Sequence, residues 1–320
     1  MSPRRVRSTV WAVVGFVIAG VCGLTVIEYR REIGPARQRV STGSRIVQTP
    51  CGQIEYAQAG DGPPILIVHG AGGGFDQGLD SVEPFVQAGY RIITMSRFGY
   101  LRTPLPADAS PQAQADAHVC LLDALGIERV VGIVGVSAGA PSSMQFVLRN
   151  PERTDRLVLL VPLAYAPRSA EQVTAPSSTP VVFETALKSD FLFWLAIKTM
   201  RRTLVEAILA TPPDVLDRAS AAEQARALAM LDHILPVSPR QQGLLNDAAV
   251  ASTLPRYDLE RITTPTLAIS FADDLYGTYE GARYTSEHVP GARFISYPSG
   301  GHVWVGHQED VVSAIMAFLK

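Results

Sequence analysis

Ser137 stands in the run VVGIVGVSAGAPSSM, Val130 to Met144. The pentapeptide Gly135-Val136-Ser137-Ala138-Gly139 has the G-x-S-x-G pattern of a serine held at a sharp strand-to-helix turn. The β-branched run before it predicts a strand, and the stretch to about Arg149 predicts a helix. Such a turn is strained, and Gly135 and Gly139 lack the Cβ that would clash with neighbouring backbone. It lifts the Ser137 hydroxyl above a sheet. It also aims the Ala138 N–H, at a helix N-terminus, at the place where an oxyanion would form. The chemistry implied is nucleophilic attack on a carbonyl carbon. The alternative, a plain glycine-rich turn without chemistry, has to be weighed against the rest of the chain.

A second glycine-rich loop, His69-Gly70-Ala71-Gly72-Gly73-Gly74, follows the apolar run Ile65 to Val68. It has neither the Lys-Ser/Thr of a phosphate-binding loop nor the G-x-G-x-x-G spacing of a dinucleotide site. It reads instead as the other half of an oxyanion hole, made by the N–H of Ala71, with Gly72 as the alternative donor. His69 is expected to brace that loop. A serine hydroxyl also needs a base, and the base needs an acid to hold its tautomer. Thr266 to Ser270 predicts a late strand that runs into Phe271-Ala272-Asp273-Asp274. Paired aspartates also commonly mark turns. Arg293 to Tyr297 predicts the last strand, and Ser299-Gly300-Gly301-His302 follows it. Of the six histidines, only His302 joins a strand-end loop to the chain order Ser, acid, His.

The elements that must position these residues alternate. A hairpin around Pro50-Cys51-Gly52 precedes the strand Ile65 to Val68. A helix over Leu79 to Ala88 and a strand over Arg91 to Met95 follow, then the loop SRFGYLRTPLP and a helix over Pro111 to Leu125 stopped by Gly126. That rhythm predicts an α/β fold: a doubly wound, mostly parallel sheet with helices on both faces. The chain of 320 residues, 47% hydrophobic and 18% charged, suits one large domain with an insertion, or two small ones. A net charge of −2 gives no reason to expect nucleic acid. Cys22, Cys51 and Cys120 form no zinc spacing; Cys51 and Cys120 read as ordinary buried thiols rather than a bridge. At the N-terminus, Val10 to Ile27 holds eighteen residues without a charge. As a helix it would cover roughly 27 Å, enough to cross a bilayer core. A single-pass membrane anchor is expected there, with its orientation open, and Arg30 to Ser44 is expected to be a tether.

Three pieces carry a resemblance: HGAGGG after one strand, SRFGYLRTPLP after the next, and GVSAGAPS at the elbow. With them the chain resembles the α/β-hydrolase superfamily, in the serine-hydrolase branch of esterases, cofactor-free haloperoxidases and carbon–carbon bond hydrolases. The resemblance implies a hydrolase core over residues 45–164 and 261–320, a helical cap over 165–260, and an anchor and tether over 1–44. It implies a triad of Ser137, Asp274 and His302, with Asp273 as the fallback acid. The oxyanion donors would be the N–H groups of Ala71 and Ala138. Serine at the nucleophile position argues against haloalkane dehalogenases and epoxide hydrolases, which carry aspartate there. No metal or organic cofactor is implied.

In the expected cap, Phe183, Phe191, Phe193 and Trp194 would wall an apolar pocket or pack the cap down. Arg240 could hold a substrate carboxylate, but pairing with Asp247 or a helix end is the expectation. The expected reaction is hydrolysis of a small or medium apolar ester through an acyl-enzyme. The rivals are carbon–carbon bond hydrolysis or perhydrolysis on the same triad, and a non-catalytic receptor on the same fold.

Overall fold

The computed structural model describes residues 3–80, 82–167 and 187–320, with the side chains of residues 3–14 and Val17 outside the description. Eight strands form one sheet: β1 (Arg45–Thr49), β2 (Gly52–Ala59), β3 (Pro64–Val68), β4 (Arg91–Met95), β5 (Gly132–Val136), β6 (Leu157–Leu160), β7 (Thr266–Phe271) and β8 (Arg293–Tyr297). Their order is β1-β2-β4-β3-β5-β6-β7-β8. Pairs β1–β2 and β2–β4 are antiparallel, and the other five pairs are parallel. The expected mostly parallel sheet is therefore present. Its inner strands are short runs of Ile, Val and Leu because both faces are covered, so alternation with polar residues would bury them unpaired.

One face carries α3 (Pro111–Ala124), α4 (Ala140–Arg149) and α10 (Thr278–His288), packed on Leu66, Ile93, Ile133, Leu157 and Leu159. The other carries α2 (Glu83–Gln87) and α11 (Gln308–Leu319), packed on Ile65, Ile92, Val158, Leu267 and Ile269. Ser110 starts α3 by accepting from the Ala113 N–H, with Pro111 at the first turn, where a missing donor costs nothing. The helix expected over Leu79 to Ala88 is reduced. A 3-10 turn at Gln77–Leu79 and the five-residue α2 replace it, and Ser81 lies outside the described residues. Between β6 and β7 come α5 (Asp190–Thr199), α6 (Arg201–Ala207), α7 (Pro213–Arg218), α8 (Ala221–Asp232) and α9 (Gln241–Thr253). Phe183, part of the expected aromatic wall, lies outside the described residues.

The expectations for the N-terminal segment and for the cysteines are both corrected. Among the described residues, no helix is long and apolar enough to cross a membrane. The single-pass anchor over Val10 to Ile27 is therefore not upheld, although the side chains of its first residues lie outside the description. The segment belongs to α1 (Pro3–Ser41), a 39-residue helix that continues through Glu28, Arg30, Arg31 and Glu32. Nor is Arg30 to Ser44 a loose tether. Its helix docks on the insertion: Ile33 and Ala36 are buried with Phe193, Trp194 and Ile197. Glu32 accepts from the Trp194 indole and Lys198, Arg37 pairs with Asp190, and Arg39 reaches the carbonyls of His233 and Leu235. The composition of the segment suggested a linker because its apolar residues are few; they are spaced to fall on one helical face.

The second correction is covalent. Cys51 and Cys120 form a disulfide, with Cα atoms 6.1 Å apart, tying the hairpin to α3. Cys22 is free and exposed.

Candidate active site

All the candidate residues lie in loops at the carboxyl edge of the parallel sheet, where such folds place ligands. Ser137 follows β5 directly and has φ of 50°, a left-handed conformation that a residue with a side chain holds only when its surroundings force it. The flanking glycines explain how the turn closes. A Cβ on Gly139 would lie 2.4 Å from the Val68 carbonyl oxygen, and one on Gly135 would lie 2.6 Å from Ser143 Oγ. Both approaches exclude any larger residue.

His302 Nε2 lies 2.9 Å from Ser137 Oγ, across 165 positions of sequence. His302 Nδ1 lies 2.8 Å from Asp274 Oδ2. With Nδ1–H donating to the carboxylate, Nε2 is left as an acceptor for the serine proton. Asp274 also accepts from the Thr278 hydroxyl and, at 2.8 Å, from the Tyr276 N–H. Its side chain is buried. Asp273 does something else. It accepts from the N–H groups of Gly300 and Gly301, at 3.2 and 2.8 Å, and so fixes the loop that carries His302. Thr278, Tyr276 and that role of Asp273 were not anticipated. The Asp-Asp pair was visible, but which carboxylate faces the imidazole depends on the turn after β7.

The loop after β3 lies against the elbow: a Cβ on Gly70 would come 3.1 Å from Ser137 Cβ. The Gly72 N–H is taken by the Tyr100 hydroxyl at 3.2 Å, and the Gly70 N–H by Gln77 Oε1 at 3.0 Å. Among the described residues, the N–H groups of Ala71 and Ala138 meet no acceptor. Geometry therefore favours Ala71 over Gly72 as the free donor. His69 is spent within the loop, with Nδ1 2.7 Å from the Gly70 carbonyl and Nε2 accepting from the Arg97 N–H at 2.9 Å. Burial, and then the Arg97 charge, hold its imidazole well below the usual histidine range, so it stays neutral.

Two buried arginines fasten the insertion to this loop. Arg97 pairs with both oxygens of Asp247 at 2.7 Å and donates to the Gly70 carbonyl at 3.2 Å. Arg240 is fully buried and pairs with Asp76 at 2.7 Å, while also donating to the Gly73 carbonyl. Of the two partners expected for Arg240, Asp247 is taken by Arg97, and the helix end is met: Arg240 donates to the carbonyl of His233, the C-cap of α8, at 3.2 Å. Fully buried in these contacts, it has no exposed surface for a substrate carboxylate. Burial alone would raise the Asp76 carboxyl; the Arg240 charge overrides it and holds it below the usual range.

A cavity of about 660 Å³ opens on Ser137 and His302. The loop after β3, Phe193, Leu209, Ile234 and Leu244 from the insertion, and Val136 and Leu160 from the sheet line it. Phe191 and Trp194 instead stack on each other and meet Tyr29 of α1 edge-on. Apart from His69 and His302, the titratable side chains on the wall among the described residues are Asp80, Lys188 and Tyr276, and Asp80 is paired with His233. No three His, Cys, Asp or Glu side chains among the described residues gather as a metal site.

A profile described as alpha/beta hydrolase fold matches residues 63–305. An uncharacterized hydrolase of Bacillus subtilis (strain 168) is 28% identical over 284 residues, covering 84% of this chain and 95% of that protein. A 2-hydroxy-6-oxo-6-phenylhexa-2,4-dienoate hydrolase of Comamonas testosteroni is 33% identical over 114 residues, which span 34% of this chain and 40% of that protein. Among solved structures, an alpha/beta hydrolase fold protein from Nakamurella multipartita is similar, with a TM-score of 0.65 and 27% identity over 86% of this chain and 98% of that one.

Proposed function

The chain belongs to the α/β-hydrolase fold family and is a hydrolase, and we propose that it cleaves neutral apolar esters by way of an acyl-enzyme on Ser137. The observation that carries this reading is the unbroken relay from Ser137 Oγ through His302 to Asp274, at 2.9 and 2.8 Å. In the proposed reaction Ser137 Oγ attacks the ester carbonyl as His302 Nε2 takes its proton. The Ala71 and Ala138 N–H groups meet the oxyanion, a contribution of about 3 kcal/mol for each donor. The tetrahedral intermediate collapses and expels the alkoxide, which takes the proton from His302. Water, deprotonated by the same nitrogen, then attacks the acyl carbon, and His302 returns that proton to Ser137 Oγ as the carboxylic acid is released. Asp274 holds the imidazole tautomer and stabilises its positive charge. The insertion helices act as a cap whose apolar side chains keep water from the bound ester.

The Comamonas relative raises carbon–carbon bond hydrolysis as a second reading, since its named substrate is a dienoate. A dienoate carries a carboxylate, and burying it needs a cation. Arg240 and Arg97 are both committed to aspartates, and Lys188, on the cavity wall, is exposed. That supports a neutral ester over a dienoate.

The test is a fluorophosphonate probe followed by two substrate panels. The expected result is labelling of the wild type that vanishes in Ser137→Ala, and turnover of p-nitrophenyl esters well above that of dienol ketones. Folded wild-type protein that takes no label would contradict the reading and favour a binding protein on this fold.

A further inference from the structure

The cavity does not stop at the nucleophile. It continues past Val136 into the space between the sheet and the layer of α2 and α11. Sheet register identifies its floor. Ile67 pairs with Val134, and Val136 pairs with Leu160, forming two adjacent rows on this face. These side chains sit on central strands, yet they are not sealed. Val134 is 5% and Leu160 4% exposed, while their neighbours on the opposite face, Ile133 and Leu159, are at 0%. Ile67 is only partly buried, although β3 is flanked by β4 and β5. The cause lies in the covering layer. Helix α2 has five residues, about 7.5 Å of length, too short to cover the carboxyl ends of three strands. Phe85 of α2 and Val312 and Ile315 of α11 form the far wall.

We propose that this arm receives the acyl chain of the substrate and selects for an unbranched aliphatic one. This rests on the acyl-enzyme reading above. Val134, Leu160, Phe85, Val312 and Ile315 are themselves buried, so packed apolar side chains close this end of the cavity, whereas Leu245 on the insertion side is 65% exposed. The leaving alcohol departs first and needs an open route, which the insertion side of the cavity supplies. The acyl group stays bonded to Ser137 while water arrives, so it is the half that a blind arm can hold. From Ser137 to Val134 is three residues of strand, about 10 Å, which an extended chain of about eight carbons would fill. The arm has no charged side chain among the described residues of its floor and far wall, which suits methylene groups.

The test is the series of p-nitrophenyl esters from acetate to dodecanoate, run on wild type, Val312→Phe and Ile315→Phe, beside short- and long-alkyl fluorophosphonates. Wild-type kcat/KM is expected to climb by up to about fourfold for each methylene that enters the arm and to peak near octanoate. The two variants are expected to move the optimum to shorter esters and to slow the long-alkyl probe, while the short-alkyl probe still labels Ser137. Where a variant takes no short-alkyl label, it has not folded, and the wild-type ester series and probe ratio decide alone. An optimum at acetate or butanoate, or variants that fold without changing the chain-length profile, would overturn the acyl arm and leave the serine hydrolase standing. No turnover of any ester and no labelling by either probe would overturn both.

Discussion

Asp273 and Asp274 are adjacent carboxylates with different partners, and that difference can be measured. Asp274 faces the His302 imidazole, and Asp273 faces the backbone of Gly300 and Gly301. Asp274→Asn keeps the shape but favours the wrong imidazole tautomer, and kcat is expected to fall by about 10⁴. Asp273→Asn loosens only the loop that carries His302, and a loss of about tenfold or less is expected. Steady-state kinetics on one ester compares the two, and equal losses would contradict this division. The chain showed the pair but could not separate its members, because one residue of slip in a turn leaves no trace in composition. Ser137 was easier to read. Its glycines, the strand before it and the helix after it all lie within fifteen residues. The Arg97–Asp247 and Arg240–Asp76 contacts, spanning 150 and 164 positions, had no local signal. They exist only because of how the insertion docks.

At the scale of elements, the elbow and the insertion are the parts on which the site depends. The elbow works because β3 and α4 come close enough to exclude a side chain at Gly139. Gly139→Val would force the Val68 carbonyl aside, and a stability loss on the order of 3 kcal/mol is expected from such overpacking. Denaturant unfolding would register it, and an unchanged midpoint would argue against so tight a turn. The insertion is held by Arg97 and Asp247, both buried, with the Tyr100 hydroxyl between Asp247 and the Gly72 N–H. Asp247→Asn strands the guanidinium, and a loss of about 3–5 kcal/mol is expected. Because the same residues frame the loop after β3 that lies against Ser137, activity should fall before unfolding begins, which activity and circular dichroism recorded on one temperature ramp would reveal. The strands and their order were legible, since buried parallel strands announce themselves as short β-branched runs. The docked half of α1 was not, because two buried side chains, Ile33 and Ala36, are too few to stand out beside its charges.

For the whole molecule, stability is expected to depend on pH through a histidine outside the triad. His118 is sealed between α3 and α4, with Nε2 3.1 Å from the Ser142 hydroxyl and Nδ1 3.0 Å from Met95 Sδ. Burial, and then the Arg97 charge, push it from 6.5 down to about 3. The unfolded chain therefore takes up a proton below 6.5 that the folded chain refuses until about 3. Stability contributed by the neutral form is complete above 6.5 and is lost as pH falls through that window, by about 1.4 kcal/mol per pH unit. Urea unfolding between pH 7 and 4 checks this, and His118→Gln is expected to remove its share of the slope and leave that of His69, which burial holds down in the same direction. The central claim is that the chain passes an acyl group through Ser137. Rapid acid quenching during ester turnover, followed by peptide mass mapping, tests it most directly. The account predicts the mass of the acyl group on Ser137 itself. Sustained turnover with that residue unmodified, or with the acyl group on another side chain, would contradict it.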